Sequence, residues 1–136
     1  MGPSFLAMKA ELLAALIAVE SSGNDLARGR HGELGALQVR PCVVADVNRV
    51  VRGNYRWSEM TNRVVATKVA DIYLTHWAKR IGRPATDRDL ALIWHHGPNG
   101  WKRSGGVYWK RVKDRVVAGK VQSRVLLGRD RVVAAK

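Results

Sequence analysis

A glutamate stands where an apolar helical pattern asks for a leucine. Leu13, Leu16, Ile17 and Glu20 fall at i, i+3, i+4 and i+7, the spacing that places side chains on one helical face. Ser21, Ser22 and Gly23 follow at once, and Gly23 is a natural stop just past a helix end. The Glu20 carboxyl is therefore expected to be half-buried in the last turn of an apolar helix. Desolvation and the negative end of the helix dipole both favour its protonated form there. A carboxylic acid that keeps its proton near neutral pH can serve as the general acid in glycosidic-bond cleavage. The competing reading puts Glu20 at a frayed helix end, turned toward water.

Other chemistry-bearing residues offer less. The chain has no HExxH, and adjacent His95 and His96 would diverge on a helix, so no metal site is expected. No cofactor is implied. The single cysteine, Cys42, excludes an internal disulfide framework and reads as a small core residue. His76 reads as a hydrogen-bonded core histidine. By residue type alone, Trp94, Trp101 and Trp109 read as core or surface packing.

The elements that must position Glu20 follow from periodicity. After Gln38, Pro41 sits where a helix can begin, and CVVADVNRVV puts Val43, Val47, Val50 and Val51 on one face, with Gly53 as the stop. Ser58 is the expected cap of a long helix over residues 59–81, whose stripe holds Val65, Val69, Ile72, Tyr73, His76 and Ile81. Thr86 and Asp89 form a capping-box pattern opening a helix through Leu90, Ile93 and Trp94, which Gly97-Pro98-Asn99-Gly100 must end. A basic helix is expected over residues 108–118. Residues 121–136 read as a closing helix or a basic C-terminal extension. Helix follows helix with no alternating strands, so the expected fold is a single domain over residues 1–136, all-α or helix-dominated α+β.

Lys and Arg number 24 against 11 acidic residues, a net charge of +13. Such a surface suits a polyanion: nucleic acid, an anionic membrane or an acidic cell-wall polymer. The N-terminal stretch superficially suggests a signal peptide. Its apolar part is the helix carrying Glu20, however, and Glu11 interrupts it, so no signal peptide is recognised. No apolar run reaches the length of a membrane span.

VESSGN followed by GELGALQ resembles the paired signature of the lysozyme-like soluble lytic transglycosylases, a glutamate-serine at a helix end and then a Gly-x-x-Gly-x-x-Gln loop. The stretch IWHHGPNGWKRSGGVYWKRVK is similar to a segment of invertebrate-type (destabilase-like) lysozymes and to the Tyr-Asn-Ala-Gly-Pro-Gly motif of the transglycosylases. GALQVRP resembles the Gly-Pro-Phe-Gln-Ile-Lys-Pro segment of those lysozymes. The resemblance implies an α+β lysozyme-like domain with a substrate cleft. It makes Glu20 the catalytic acid/base and places Ser21, Gln38, Trp94, His95, Gly97 and Tyr108 around the substrate. Two departures stand out: His95 occupies the position of a usual asparagine, and no carboxylate falls at the position of the lysozymes' aspartate. Glu33 and Asp25 are the candidates for a second carboxylate. The near-absence of cysteine separates the chain from its cysteine-rich animal counterparts and suggests a bacterial or phage protein, released by lysis or carried in a virion.

The expected function is cleavage of the β-1,4 bond between N-acetylmuramic acid and N-acetylglucosamine in peptidoglycan, leaning to a lytic transglycosylase and with a lysozyme-type muramidase as the alternative. The expected partners are glycan strands and an anionic wall surface, met by a monomer. A basic nucleic-acid-binding protein and a catalytically dead lysozyme-like module are the rivals. If the positive surface captures an anionic wall, wall lysis should fall as salt rises past physiological strength, where exposed charges are screened beyond ~8 Å. Cleavage of uncharged oligosaccharides should barely respond. Equal salt sensitivity on both substrates, measured side by side, would detach the charge from wall capture.

Overall fold

A computed structural model describes residues 8–134, with side chains described through residue 128. Residues 1–7 of the leader-like stretch and the side chains of residues 129–136 lie outside the described residues. Among the described residues the fold is mainly α, with five α-helices: α1 (Ala10–Ser21), α2 (Pro41–Val51), α3 (Arg63–Ala78), α4 (Asp87–His96) and α5 (Gly106–Ala134). Short 3₁₀ turns cover Trp57–Thr61, Lys79–Ile81 and Gly100–Lys102. Among the described residues, extended pairing amounts to two isolated antiparallel bridges, Arg28 with Leu34 and Leu34 with Val39. No helix among them is long and apolar enough to cross a membrane.

α4 is the hub. Asp89 and every residue from Leu90 to Trp94 are buried, so the middle of the helix is enclosed, with α1, α3 and α5 packed against it. Its start is as the sequence predicts. The Thr86 hydroxyl accepts from the Asp89 N–H at 3.1 Å, and the Asp89 carboxylate accepts from the Thr86 N–H at 2.9 Å. Arg83 adds a fork of two bonds to the same carboxylate, at 2.6 and 3.1 Å.

Several boundaries depart from expectation, each for a local reason. In α1 the buried residues are Leu12, Ala15 and Leu16, while Leu13 and Ile17 are half-buried beside Arg63 and Arg115. The stripe is rotated by about one position, yet Glu20 lies one turn beyond Leu16 and stays on it. α2 ends at Val51 because Arg52 (φ 52°) takes the left-handed position one residue before Gly53. α3 starts at Arg63 rather than residue 59. Asn62, not Ser58, is the cap, its side-chain oxygen accepting from the N–H groups of Val64 and Val65 at 3.0 and 3.3 Å. Val69, Ile72 and Tyr73 are buried on α3, whereas Val65 and Ile81 are half-buried. His76 is half-buried too, edge-on to Trp77 at 4.8 Å, and is no core residue. Cys42 is exposed: in the first turn of α2 the inner face belongs to Val43, Val44 and Val47.

α5 is one continuous helix where a break near residue 120 was expected. Gly119 and Gly128 sit inside it, since an interior glycine costs only about 1 kcal/mol relative to alanine. Val112 and Val116 pack into the core, and no described side chain beyond Val116 is buried.

Asp89 supplies a test of this scaffold. Its carboxyl is held down at about 2, first by Arg83 and then by the Thr86 bonds, against a burial effect that pushes the other way. A depressed folded-state value stabilises the fold above the unfolded carboxylate range and loses that contribution as pH falls toward 2. Thermal melts of the wild type should therefore drop between pH 4 and about 2. Asp89→Asn should melt lower at neutral pH and show a shallower fall across that window; an identical pH profile would detach the ion pair from stability.

Candidate active site

α1 delivers Glu20, and the turn after it is tightly held. Ser22 (φ 54°) adopts the left-handed conformation and its N–H donates to the Ala18 carbonyl at 3.1 Å. The Ser21 hydroxyl lies 2.8 Å from the Ala36 carbonyl and 3.2 Å from that of Ile17, and accepts from the Gly23 N–H at 3.2 Å. Ser21 thus fastens the end of α1 to the following loop through backbone groups, and it does not line the hollow described below.

The loop over residues 22–40 is pinned from several sides. The Gln38 side-chain amide donates to the Ala27 and Gly35 carbonyls at 3.1 and 3.0 Å, while its own backbone is left-handed (φ 53°). Gly35 (φ 84°) passes so close to Met60 that a Cβ would overlap the Met60 carbonyl, which only glycine permits. The Trp57 indole donates to the Gly32 carbonyl at 2.8 Å, and the Trp94 indole reaches from α4 to the Leu37 carbonyl at 3.1 Å. Together with the buried Leu34, Ala36, Leu37 and Val39, these bonds make the loop a firm wall.

Between this wall and α4 lies a hollow of about 240 Å³, lined by Glu20, Glu33, Gln38, Arg40, Trp94 and His95. A second hollow of about 490 Å³ adjoins it, lined by His95, His96, Tyr108 and the Arg103–Val107 stretch, so that His95 belongs to both. The hollows of about 480 Å³ against α1 and about 500 Å³ between α2 and α3 are lined by no carboxyl, and one of about 350 Å³ between α1 and α5 is lined by Asp114 among arginines.

The two carboxyls of the first hollow are in different environments. Glu20 is pushed up to about 7, chiefly by burial. The Tyr108 hydroxyl, donating to Glu20 Oε2 at 2.7 Å, opposes the rise; the nearby negative charge of Glu33 adds to it, and Arg40 subtracts. Glu33 is held below its usual range, first because it accepts the His31 backbone N–H at 3.0 Å. Near neutral pH one carboxyl therefore carries a proton much of the time while the other is ionised. The Tyr108 phenol is pushed up by burial and by Glu20, so it stays a neutral donor. Its ring lies nearly parallel to His95, with centroids 3.9 Å apart and planes 10° apart. His95 is itself lowered by desolvation and by the charges of His96 and Arg40.

Of the residues singled out in the sequence, Glu20, Glu33, Gln38, Trp94 and His95 meet on one hollow, and Tyr108 joins them through Glu20. Gln38 braces the loop with its amide nitrogen rather than offering it to the hollow. Gly97 (φ 96°) ends α4, donating its N–H to the Ile93 carbonyl at 2.8 Å, and lines neither hollow. Asp25 is tied to Arg63 at 2.9 Å, leaving Glu33 as the second carboxylate of the site. Two residues escaped the sequence reading. Arg40 could not be found from spacing, because Gln38 is left-handed (φ 53°) and no extended alternation relates the two side chains. Gly29 left no signal: a Cβ there would overlap the Glu33 carboxylate and crowd the Gln38 side-chain oxygen.

Set against known proteins, the chain matches no family model, no curated protein and no solved structure.

Gly29 generates a specific expectation. Its φ is not in the left-handed range, so alanine is tolerated by the backbone while displacing the Glu33 carboxylate from the His31 N–H. Gly29→Ala should fold, and a carboxyl NMR titration should show Glu33 rising toward the usual glutamate range. A Glu33 titration unchanged from wild type would mean that the close approach does not hold the carboxylate.

Proposed function

We propose that the chain is a peptidoglycan-cleaving glycosidase of lysozyme-like type, with Glu20 as its proton donor. The observation that carries this reading is a half-buried carboxyl, pushed up to about 7 by its burial and hydrogen-bonded to a tyrosine at the wall of an open hollow. A general acid works best when its proton affinity is matched to the working pH, and burial gives Glu20 that match. Trp94, His95 and Tyr108 supply the aromatic surroundings that a pyranose ring requires. A nucleic-acid-binding role, suggested by the charge and the aromatic residues, leaves this carboxyl–phenol pair without a use.

In the transglycosylase form of the reaction, Glu20 gives its proton to the bridging oxygen as the bond from that oxygen to muramic-acid C1 breaks. The resulting carboxylate then takes the proton of the same sugar's 6-hydroxyl while O6 bonds to C1 and closes an anhydro ring. No water is consumed and one carboxyl suffices. A second reading is favoured by Glu33, which is ionised and lines the same hollow: a muramidase in which Glu33 holds the attacking water or bonds to C1 itself. The transglycosylase is preferred because the Glu33 carboxylate is already engaged by the His31 N–H.

Turbidity clearing of purified walls tests the proposal. Glu20→Gln keeps the shape and removes the transferable proton, so clearing should fall ~10²–10⁴-fold with folding intact. Wild-type activity should decline as pH rises through about 7, where Glu20 loses its proton. A Gln variant that clears walls at the wild-type rate would refute the assignment. Mass spectrometry then separates the two reactions: anhydro-muramyl ends lie one water below hydrolysed ends. Reducing ends throughout, with turnover abolished in Glu33→Gln, would establish the muramidase.

A further inference from the structure

Beyond lining the hollow, His95 has no part in the proposed proton transfers. Its ring lines the Glu20 hollow on one side and the neighbouring 490 Å³ hollow on the other. Its plane lies 10° from that of Tyr108 at a centroid separation of 3.9 Å, and His96 packs edge-on against it at 4.6 Å. The Tyr108 hydroxyl then reaches Glu20 Oε2 at 2.7 Å, bridging α5 to the end of α1. Tyr108 sits in the first turn of α5, just after Ser104, Gly105 and Gly106, a stretch with little side-chain bulk to hold an aromatic ring. On the side of the second hollow, the imidazole is the flat surface that the phenol rests on.

We propose that His95 is a positioning residue: stacked on Tyr108, its ring keeps the phenol hydroxyl on Glu20 across the seam between the two hollows. Stacking fixes the plane of the tyrosine ring, and a hydroxyl bond of this length depends on that plane because the oxygen lies at the ring's far end. The groups facing Glu20 are Tyr108 from α5, Glu33 from the loop, Arg40 from the residue before α2, and His95 from α4 with His96 beside it. Of these, Tyr108 donates a hydrogen bond to the ionised carboxylate and lowers its proton affinity. With the burial of Glu20 kept, as a flat ring at position 95 keeps it, loosening the phenol raises the Glu20 pKa above about 7; solvent let into the hollow acts in the opposite direction.

The role in catalysis rests on the glycosidase reading, but the positioning role is measured without it. The full chain carrying 13C-labelled glutamate is titrated by carboxyl NMR as wild type, His95→Ala and His95→Phe, with Glu20→Gln used to assign the signal. His95→Ala should move the Glu20 midpoint upward by about one pH unit, the worth of one hydrogen bond to the charged form. His95→Phe, which keeps a flat ring but no charge, should return it to the wild-type value. An unmoved midpoint in His95→Ala overturns the proposal. So does an equal rise in both variants, which would make the effect one of imidazole charge rather than stacking. If the titrations follow the expected pattern while the wild type fails to clear walls, the glycosidase reading falls and the positioning role stands.

Discussion

Burying the apolar stripe of α1 drags a carboxyl into the protein. Leu12, Ala15 and Leu16 are sealed against α4 and α5, and Glu20 continues their stripe by one further turn. A helix cannot bury the first three without carrying the fourth inward, because its pitch fixes where each side chain emerges. Much of the surrounding structure accommodates that carboxyl. Tyr108 offers it a hydrogen bond, Arg40 offers a positive charge nearby, and the hollow leaves one side open to solvent. An isolated buried carboxylate would be far more costly, so the group keeps its proton over a wider pH range instead.

The partners that accommodate Glu20 come from distant parts of the chain, and α4 gathers them. Trp94 anchors the loop through the Leu37 carbonyl, and the adjacent His95 carries the Tyr108 ring. Two consecutive residues on one helix thus hold opposite walls of the site, Trp94 from its buried face and His95 from its exposed one. That division requires α4 to be rigid, which the burial of residues 89–94 and the Thr86–Asp89–Arg83 cap provide.

The same scaffold separates the two glutamates chemically. Glu20 is surrounded by packed side chains and rises; Glu33 sits on a loop, accepts a backbone N–H and falls. Each influences the other, since the charge on Glu33 makes ionisation of Glu20 harder. Paired carboxyls driven apart in this way are a recurrent means of holding a proton donor and an anion in one site at one pH. Neither residue type dictates the outcome; the environment does.

Local signals were legible in the sequence. The apolar helix ending in Glu20, the proline at the start of α2, the Thr86–Asp89 capping box and the glycine stop of α4 all depend on residues within a turn or two of one another. Their physics is therefore complete in the chain itself. The failures were also local in kind: Asn62 outcompeted Ser58 as a cap, and the exposed Cys42 showed that a residue's usual burial yields to its place on a helix face. What only the tertiary structure decided was which polar groups have spare capacity. Gln38 looked like a substrate ligand until its amide was found bonded to two backbone carbonyls; Asp25 looked equal to Glu33 until Arg63 claimed it. Tyr108 stands 88 residues from Glu20, and no spacing rule spans that distance. Helix periodicity says which way a side chain points, but hydrogen bonds and burial are properties of pairs, and the pairs exist only once the helices have packed.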